Sequence, residues 1–399
     1  MGSVPDDLIG QILLRLPVKA LLRFKSACKP WLLQISDKQF AKSHFEIAAP
    51  THKVFVKNNH SQLDCIDVDA SLLNNCGKLV FNFPLPSSVH KDGCKVYIVG
   101  TCRGFMLLKN YFVEKTKDVF DFVIWNPSTG FHKGINYVSA PLACVHHDSS
   151  LYGLGYDSSC DDYQIVIVAT QARLILVHSF SLKKNSWSLS ECTTPFYSRE
   201  IHGLYLEASL HWYVKPFDRP PFIFAFHVTE KRLFEILLPS VSDIGLDYDK
   251  QYFRVIRGCL CLCVVEEGVG TSIWMMKEYN VQSSWTKFFV PLSTTSPPDL
   301  LPVFYPLCFT KNGEILGSNS KTLVKLNDEG QLLEHHPDDH NVDSSIFSYC
   351  GVYRESLLSI SEDNDETAGN PGTIATSSRQ QEITIKFSDG RIITLPLEQ

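Results

Sequence analysis

The chain of 399 residues is 44% hydrophobic and 20% charged, a balance that excludes global disorder and a fibrous protein. Its formal charge of −6 gives no electrostatic reason to expect nucleic acid or an anionic membrane as a partner, and no stretch reaches the roughly 18 uncharged apolar residues of a spanning helix. Thirteen cysteines without framework spacing, and an amino terminus lacking a signal-peptide pattern, predict reduced thiols in a soluble cytoplasmic or nuclear protein.

Residues 5 to 45 read as a helical unit, with apolar residues at helical spacing and few β-branched positions. Pro5 suits a first helical turn, Asp6 and Asp7 suit the positive end of a helix dipole, and Leu8, Ile9, Ile12, Leu13 and Leu16 form one apolar stripe. Pro17 ends that helix. A second helix places Val18, Leu21, Leu22 and Cys28 on one side, and Pro30 and Trp31 open a third segment. About 40 residues with so many apolar positions cannot cover them all in a core of their own. They pack on the rest of the chain or on a partner, and composition leaves both open.

From about residue 53 the pattern becomes short alternating runs between Gly, Pro, Asn and Asp, including Lys95–Val99, Val119–Trp125, Gln164–Thr170 and Leu174–Phe180, which read as strands. Turn signals recur at Asn126–Gly130, Lys183–Ser186, Thr229–Arg232, Asn280–Ser284 and Asn327–Gly330. Their midpoints lie roughly 50 residues apart, the length of one kelch-type propeller blade. An aromatic residue comes after most of them, as Phe131, Trp187, Phe234 and Trp285. A sandwich has no reason to repeat one hairpin type at that interval, so the reading is a mainly antiparallel propeller. Tryptophans 125, 187, 212, 274 and 285 are expected to fill the spaces between blades. Residues 361–381 read as an acidic, polar linker, and residues 382–399 as a hairpin around Ser388-Asp389-Gly390. Whether that hairpin closes the ring stays open.

In order and spacing, Val4–Ile9, Ile12-Leu13, Arg15–Lys19, Leu21–Lys25 and Cys28–Trp31 closely resemble the F-box. Pro30 departs from the family, which usually has Ser, Thr or a charged residue there. The resemblance implies an α+β multidomain chain: an all-α F-box module over residues 1–46, then a kelch-like all-β region over 53–360. It also implies that Pro5, Leu8, Ile9, Ile12, Leu13, Leu16, Pro17, Leu21, Leu22, Phe24, Lys25, Cys28 and Trp31 bind a Skp-type adaptor, and through it a cullin scaffold. Residues 53 to about 360 resemble the F-box-associated region of plant F-box and F-box/kelch-repeat proteins, the group containing S-locus F-box proteins. The matching pieces include Cys102–Leu108, Ile124–Thr129, Gly153–Asp157, Ser181–Trp187, Leu210–Trp212 and Val352–Leu357. The two resemblances together imply a role as the substrate-recognition subunit of an SCF-type ubiquitin ligase, with an unassigned protein target.

Enzymatic constellations read weakly. Cys144 with His146 and His147, and His335 and His336 with His340, lack a second ligand pair at a familiar offset. Cys259, Cys261 and Cys263 alternate, so they line one face of a buried strand. No phosphate-cradling glycine loop is present. The expectation is therefore a non-catalytic protein with no metal and no cofactor. Its rivals are an F-box binding protein without ligase function, a decoy or regulator, and a carbohydrate-acting propeller enzyme with carboxylates clustered at the channel mouth.

Overall fold

The computed structural model describes residues 6–57, 62–73, 79–84, 95–114, 117–135, 150–171, 174–192, 202–216, 219–240, 250–292, 301–319, 322–336, 350–360, 382–386 and 392–396. Residues 1–360 form one compact unit and residues 361–399 a second.

Four helices open the first unit: α1 (Asp6–Leu13), α2 (Val18–Phe24), α3 (Lys29–Ser36) and α4 (Lys38–Ile47). Proline places two of these boundaries. Pro17 is the residue before α2, and Pro30 lies in the first turn of α3, after Cys28 in extended conformation. A first-turn proline loses no intrahelical hydrogen bond, so Pro30 opens a new helix instead of kinking an old one. Asp37 begins α4 by accepting a hydrogen bond at Oδ1 from the Phe40 amide, 2.8 Å away.

The rest of the unit is six four-stranded antiparallel meanders among the described residues, two of them joined into one eight-stranded sheet. Blade I holds β1 (His52–Lys57), β2 (Gln62–Asp67) and β3 (Leu79–Asn82). Blade II holds β4 (Lys95–Cys102), β5 (Phe105–Glu114), β6 (Lys117–Trp125) and β7 (His132–Ile135). Blade III holds β8 (Leu151–Asp157), β9 (Asp162–Gln171), β10 (Leu174–Ser181) and β11 (Ser186–Cys192). Blade IV holds β12 (Gly203–Leu206), β13 (Ser209–Val214), β14 (Phe222–His227) and β15 (Arg232–Ile236). Blade V holds β16 (Gln251–Ile256), β17 (Cys259–Glu266), β18 (Gly270–Met276) and β19 (Trp285–Pro291), and blade VI β20 (Tyr305–Phe309), β21 (Ile315–Ser318), β22 (Leu323–Leu326) and β23 (Leu332–His335). The five turn signals each join the third and fourth strands of a blade, from II to VI. The ring closes through β24 (Cys350–Arg354), which pairs antiparallel with β1 and supplies the inner strand of blade I. The hairpin beyond residue 381 takes no part in that sheet: β25 (Glu382–Lys386) pairs with β26 (Ile392–Pro396). Pro5, the linker and Ser388-Asp389-Gly390 lie outside the described residues.

Each blade buries both faces, which is why its inner strands read as nearly continuous apolar runs. In β17, Cys261 and Cys263 pack with Phe304, Ile315 and Val324 of blade VI, and Leu260 and Leu262 pack with Tyr213, Ile223 and Ala225 of blade IV. Trp125 fills the core between blades I and II, Trp212 that between III and IV, and Trp285 that between IV and V. The Trp212 indole donates to the Tyr152 carbonyl (3.0 Å) and the Trp285 indole to the Leu237 carbonyl (3.0 Å), so each ties two blades by packing and by a hydrogen bond. Near the axis, β12 runs parallel to β4, with Gly203 opposite Gly100. A Cβ on Gly203 would lie 2.9 Å from the Tyr152 carbonyl oxygen, so this approach of blades II, III and IV requires glycine.

Candidate functional site: an exposed helical face held on the propeller

The apolar stripe of α1 divides between two surroundings. Leu13 is buried with Val18, Leu21, Ile35, Phe40 and Phe45 in a core that continues into Phe105, Tyr152 and Tyr163 of blades II and III, and Ile9, Leu16, Leu22, Phe24 and Trp31 pack partly buried against it. Leu8 and Ile12, one turn apart, point the other way and are 54% and 56% exposed. On α3, Leu32 is 43% and Leu33 72% exposed. The two helices are neighbours, a Cβ on Gly10 of α1 lying 3.0 Å from the Gln34 side chain of α3. Lys19, Arg23, Cys28 and Lys29, on α2, α3 and the turn between them, are exposed as well.

Most of the residues singled out from the sequence lie in this module, in different positions. Leu13 and Leu21 are core residues, Leu8 and Ile12 are exposed, Pro17 and Cys28 are exposed, and Lys25 is half-buried. Phe24 and Trp31 stack at a tilt, with ring centroids 5.3 Å apart, and so hold α2 against α3. Leu32 and Leu33 were missed by sequence reasoning. Their signal was two adjacent leucines on a helix whose core positions are filled by Trp31 and Ile35.

The module is fastened to the propeller through α4. Phe45 lies between two guanidinium groups, with Arg103 4.5 Å and Arg354 4.0 Å from its ring centroid. Arg354 also donates to the Phe45 carbonyl and to the Ala48 carbonyl (3.2 Å), closing the carboxyl end of α4. Arg103 pairs with Glu46 at 2.9 Å, and Lys42 pairs with Asp161. Both pairs are solvent-exposed on at least one side, so each contributes about 0–1 kcal/mol, and the apolar core carries the docking. Inside the module the buried His44 ring reaches the turn between α1 and α2 through its Nε2–H, which donates to the Leu16 carbonyl (2.8 Å), while burial lowers its pKa and keeps it neutral.

Burial pushes the Cys65 thiol up to about 12 and raises those of Cys102 and Cys261 further, which keeps them protonated and unreactive. Among the described residues no group of three or more His, Cys, Asp and Glu could hold a metal ion; Cys144, His146, His147 and His340 lie outside them. No helix among them is long and apolar enough to cross a membrane.

Family models match both parts of this arrangement. An F-box domain covers residues 2–43, and an F-box associated beta propeller domain covers residues 54–358. The chain belongs to the F-box proteins with an F-box associated β-propeller. F-box protein CPR1 of Arabidopsis thaliana is 29% identical over 82% of this chain and 80% of its own length. An F-box/kelch-repeat protein of the same plant is 26% identical over 71% of this chain and 78% of its own. Among solved structures, TolB from Acinetobacter baumannii aligns at 10% identity with a TM-score of 0.37, over 75% of this chain and 67% of its own, too distant to carry an argument.

Proposed function

We propose that this F-box protein is the substrate-recognition subunit of an SCF-type ubiquitin ligase. A Skp-type adaptor covers the exposed helical face, a cullin scaffold stands behind that adaptor, and the β-propeller holds a protein target. The observation that carries this reading is the quartet Leu8, Ile12, Leu32 and Leu33, left in water by a module whose own core is already closed. Burying each such side chain is worth about 1.5–3 kcal/mol, and a face of this kind suits a protein interface.

Within that reading the site residues divide by role. Leu8, Ile12, Pro17, Lys25, Cys28, Leu32 and Leu33 meet the adaptor, and Leu13, Leu16, Leu21, Leu22, Phe24 and Trp31 hold the helices that present them. The chain itself performs no bond chemistry. Holding a target lysine beside a loaded conjugating enzyme raises its effective concentration, so geometry and affinity suffice. Target contacts fall to the irregular connections between strands, which packing leaves free to vary. The action would take place in the cytoplasm or nucleus. The decoy reading rested on Pro30, which the first turn of α3 accommodates, and nothing else in the molecule favours it.

Co-purification with a Skp-type adaptor tests the proposal. Leu16 is a poor probe, because its side chain packs on the module core and Leu16→Asp would unfold the helices. Leu8→Asp combined with Ile12→Asp changes exposed positions. The double variant is expected to abolish adaptor capture while its thermal unfolding stays within a few degrees of the unsubstituted chain. Capture at the original level by the folded variant would rule out this face. In a reconstituted ligase, absence of ubiquitin transfer to any co-purified protein would favour a regulator.

A further inference from the structure

The inner strands β4, β12, β16, β20 and β24, together with Phe45, line a cavity of about 670 Å³. That volume is in the range of a small-molecule site. Its lining includes Arg103, Arg254, Arg257, Arg354, His52 and His202 and, among the described residues, no aspartate or glutamate. On a chain of formal charge −6 this gathers positive charge against the average, and low-dielectric walls focus the resulting field inward.

Fold topology explains the gathering. Arg103 and Arg257 each open a two-residue hairpin at the carboxyl end of an inner strand, in the matching stretches Cys102-Arg103-Gly104-Phe105 and Ile256-Arg257-Gly258-Cys259, and Arg354 ends β24. Inner strands of a propeller run in one direction, so the three arginines stand at one rim, where Phe45 narrows the opening. The rim is not wholly spent on internal pairs. Glu46 offsets Arg103 and Arg354 donates to the Phe45 and Ala48 carbonyls, but the Arg257 guanidinium lies on the Phe309 ring, 3.9 Å from its centroid. Arg254, which is buried, donates to the Phe253 carbonyl (2.8 Å). The Arg103 Nε and the His202 Nδ1 are buried with no hydrogen-bond partner among the described residues.

We propose that this channel binds a compact polyanion, a small molecule carrying several phosphate groups, at the junction of the propeller and the helical module. Guanidinium forks match phosphate oxygens two at a time, and several converging forks select a multiply charged ligand over a single anion. The narrowed rim favours a small molecule over a folded partner. Histidine behaviour agrees with a positive interior: burial and then the Arg254 charge lower His202 to about 4, and burial and then the Arg354 charge lower His52. Because Arg103 and Arg354 also clasp Phe45, occupancy would stiffen α4.

Calorimetric titration of the full chain with inorganic tripolyphosphate tests this. Saturable one-to-one binding is expected. Arg257→Gln, at an exposed position, should weaken it about tenfold, the loss of one charged hydrogen-bonding group. Arg254→Gln should weaken it further if that variant folds, and Arg219→Gln, on an outer strand connection paired with Glu235, should leave it unchanged. Hydrogen exchange at residues 38–47 should slow on adding tripolyphosphate. The proposal fails if tripolyphosphate does not bind, if Arg257→Gln and Arg219→Gln behave alike, if citrate binds as tightly, or if a phosphoserine peptide binds where tripolyphosphate does not. Adaptor capture by Arg257→Gln should be intact, which separates this result from the test of the helical face.

Discussion

A single side chain ties blade II to the segment that follows the closing strand. Asn126 is fully buried, and its Oδ1 accepts from the Ser128 amide (2.9 Å), the local turn contact its place in Asn-Pro-Ser-Thr-Gly leads one to expect. Its Nδ2 turns away from that turn and donates to the Ser356 carbonyl (3.1 Å), the Ser356 hydroxyl (3.1 Å) and the Leu358 carbonyl (3.0 Å). Those partners lie just beyond β24, so Asn126 pins the segment after the closing strand. Close packing beside it leaves no slack: a Cβ on Gly104, whose φ is +82°, would lie 2.2 Å from the Ser356 hydroxyl. Asn126→Ala strands two buried carbonyls and one amide, and a buried group left unsatisfied costs about 1–3 kcal/mol. The expected loss is about 2–4 kcal/mol in denaturant unfolding. Asn126→Asp keeps the acceptor for Ser128 but aims a carboxylate at the two carbonyls, so it should be at least as destabilising as the alanine variant. An aspartate variant as stable as the native chain would show that the turn contact alone matters.

Among elements, α4 decides how firmly the helical module is held. Arg354 satisfies two carbonyls at the end of α4 and covers the Phe45 ring, whereas the nearby surface ion pairs are worth little. Arg354→Ala should therefore loosen α4 by about 1–3 kcal/mol, read as faster hydrogen exchange over residues 38–47 with blades IV and V unchanged. Arg354→Lys, a point charge without the planar fork, should recover only part of the protection. Equal exchange in all three proteins would mean that the apolar core holds α4 unaided. The first three helices were legible in the sequence, because Pro17 and Pro30 mark boundaries and the apolar spacing is helical, but α1 stops at Leu13, short of Pro17, Cys28 precedes α3 in extended conformation instead of lying on α2, and α4 was not read. Their docking was not, since Arg354 meets Phe45 across a separation of 309 positions. For the same reason the stripe from Leu8 to Leu16 read as one surface. Helical periodicity gives its width, but only the packed neighbour shows that Leu13 faces inward while Leu8 and Ile12 face out.

At the scale of the whole ring, the repeated outer turns were legible because each is local, whereas closure by β24 and the arginine-lined channel join residues from distant blades. Three histidines of blades III and IV belong to this scale as well, and they bear on how the fold responds to acid. Burial lowers His178, His202 and His211 from 6.5 to about 4. His211 shows the structural cause: its Nδ1–H donates to the Leu204 carbonyl (3.0 Å), so its Nε2 accepts from the Tyr279 hydroxyl (2.8 Å), an arrangement that needs the neutral ring. Once the chain unfolds, these imidazoles regain a pKa near 6.5 and bind protons that the folded state refuses. Stability is therefore fully present above about pH 6.5 and is lost as pH falls from there toward 4. Carboxylates held below their usual range, such as Asp69, Asp157 and Asp161, lose their contribution only at lower pH, and the raised Glu355 opposes the histidines weakly. Denaturant midpoints measured at about pH 7.5, 6.0 and 5.0 should fall in that order. His178, whose shift comes from burial alone and whose Nε2 has no hydrogen-bond partner among the described residues, gives the cleanest control. His178→Leu should flatten the fall between about pH 6.0 and 5.0 without lowering the midpoint at about pH 7.5. A slope unchanged in this variant would place the acid sensitivity elsewhere.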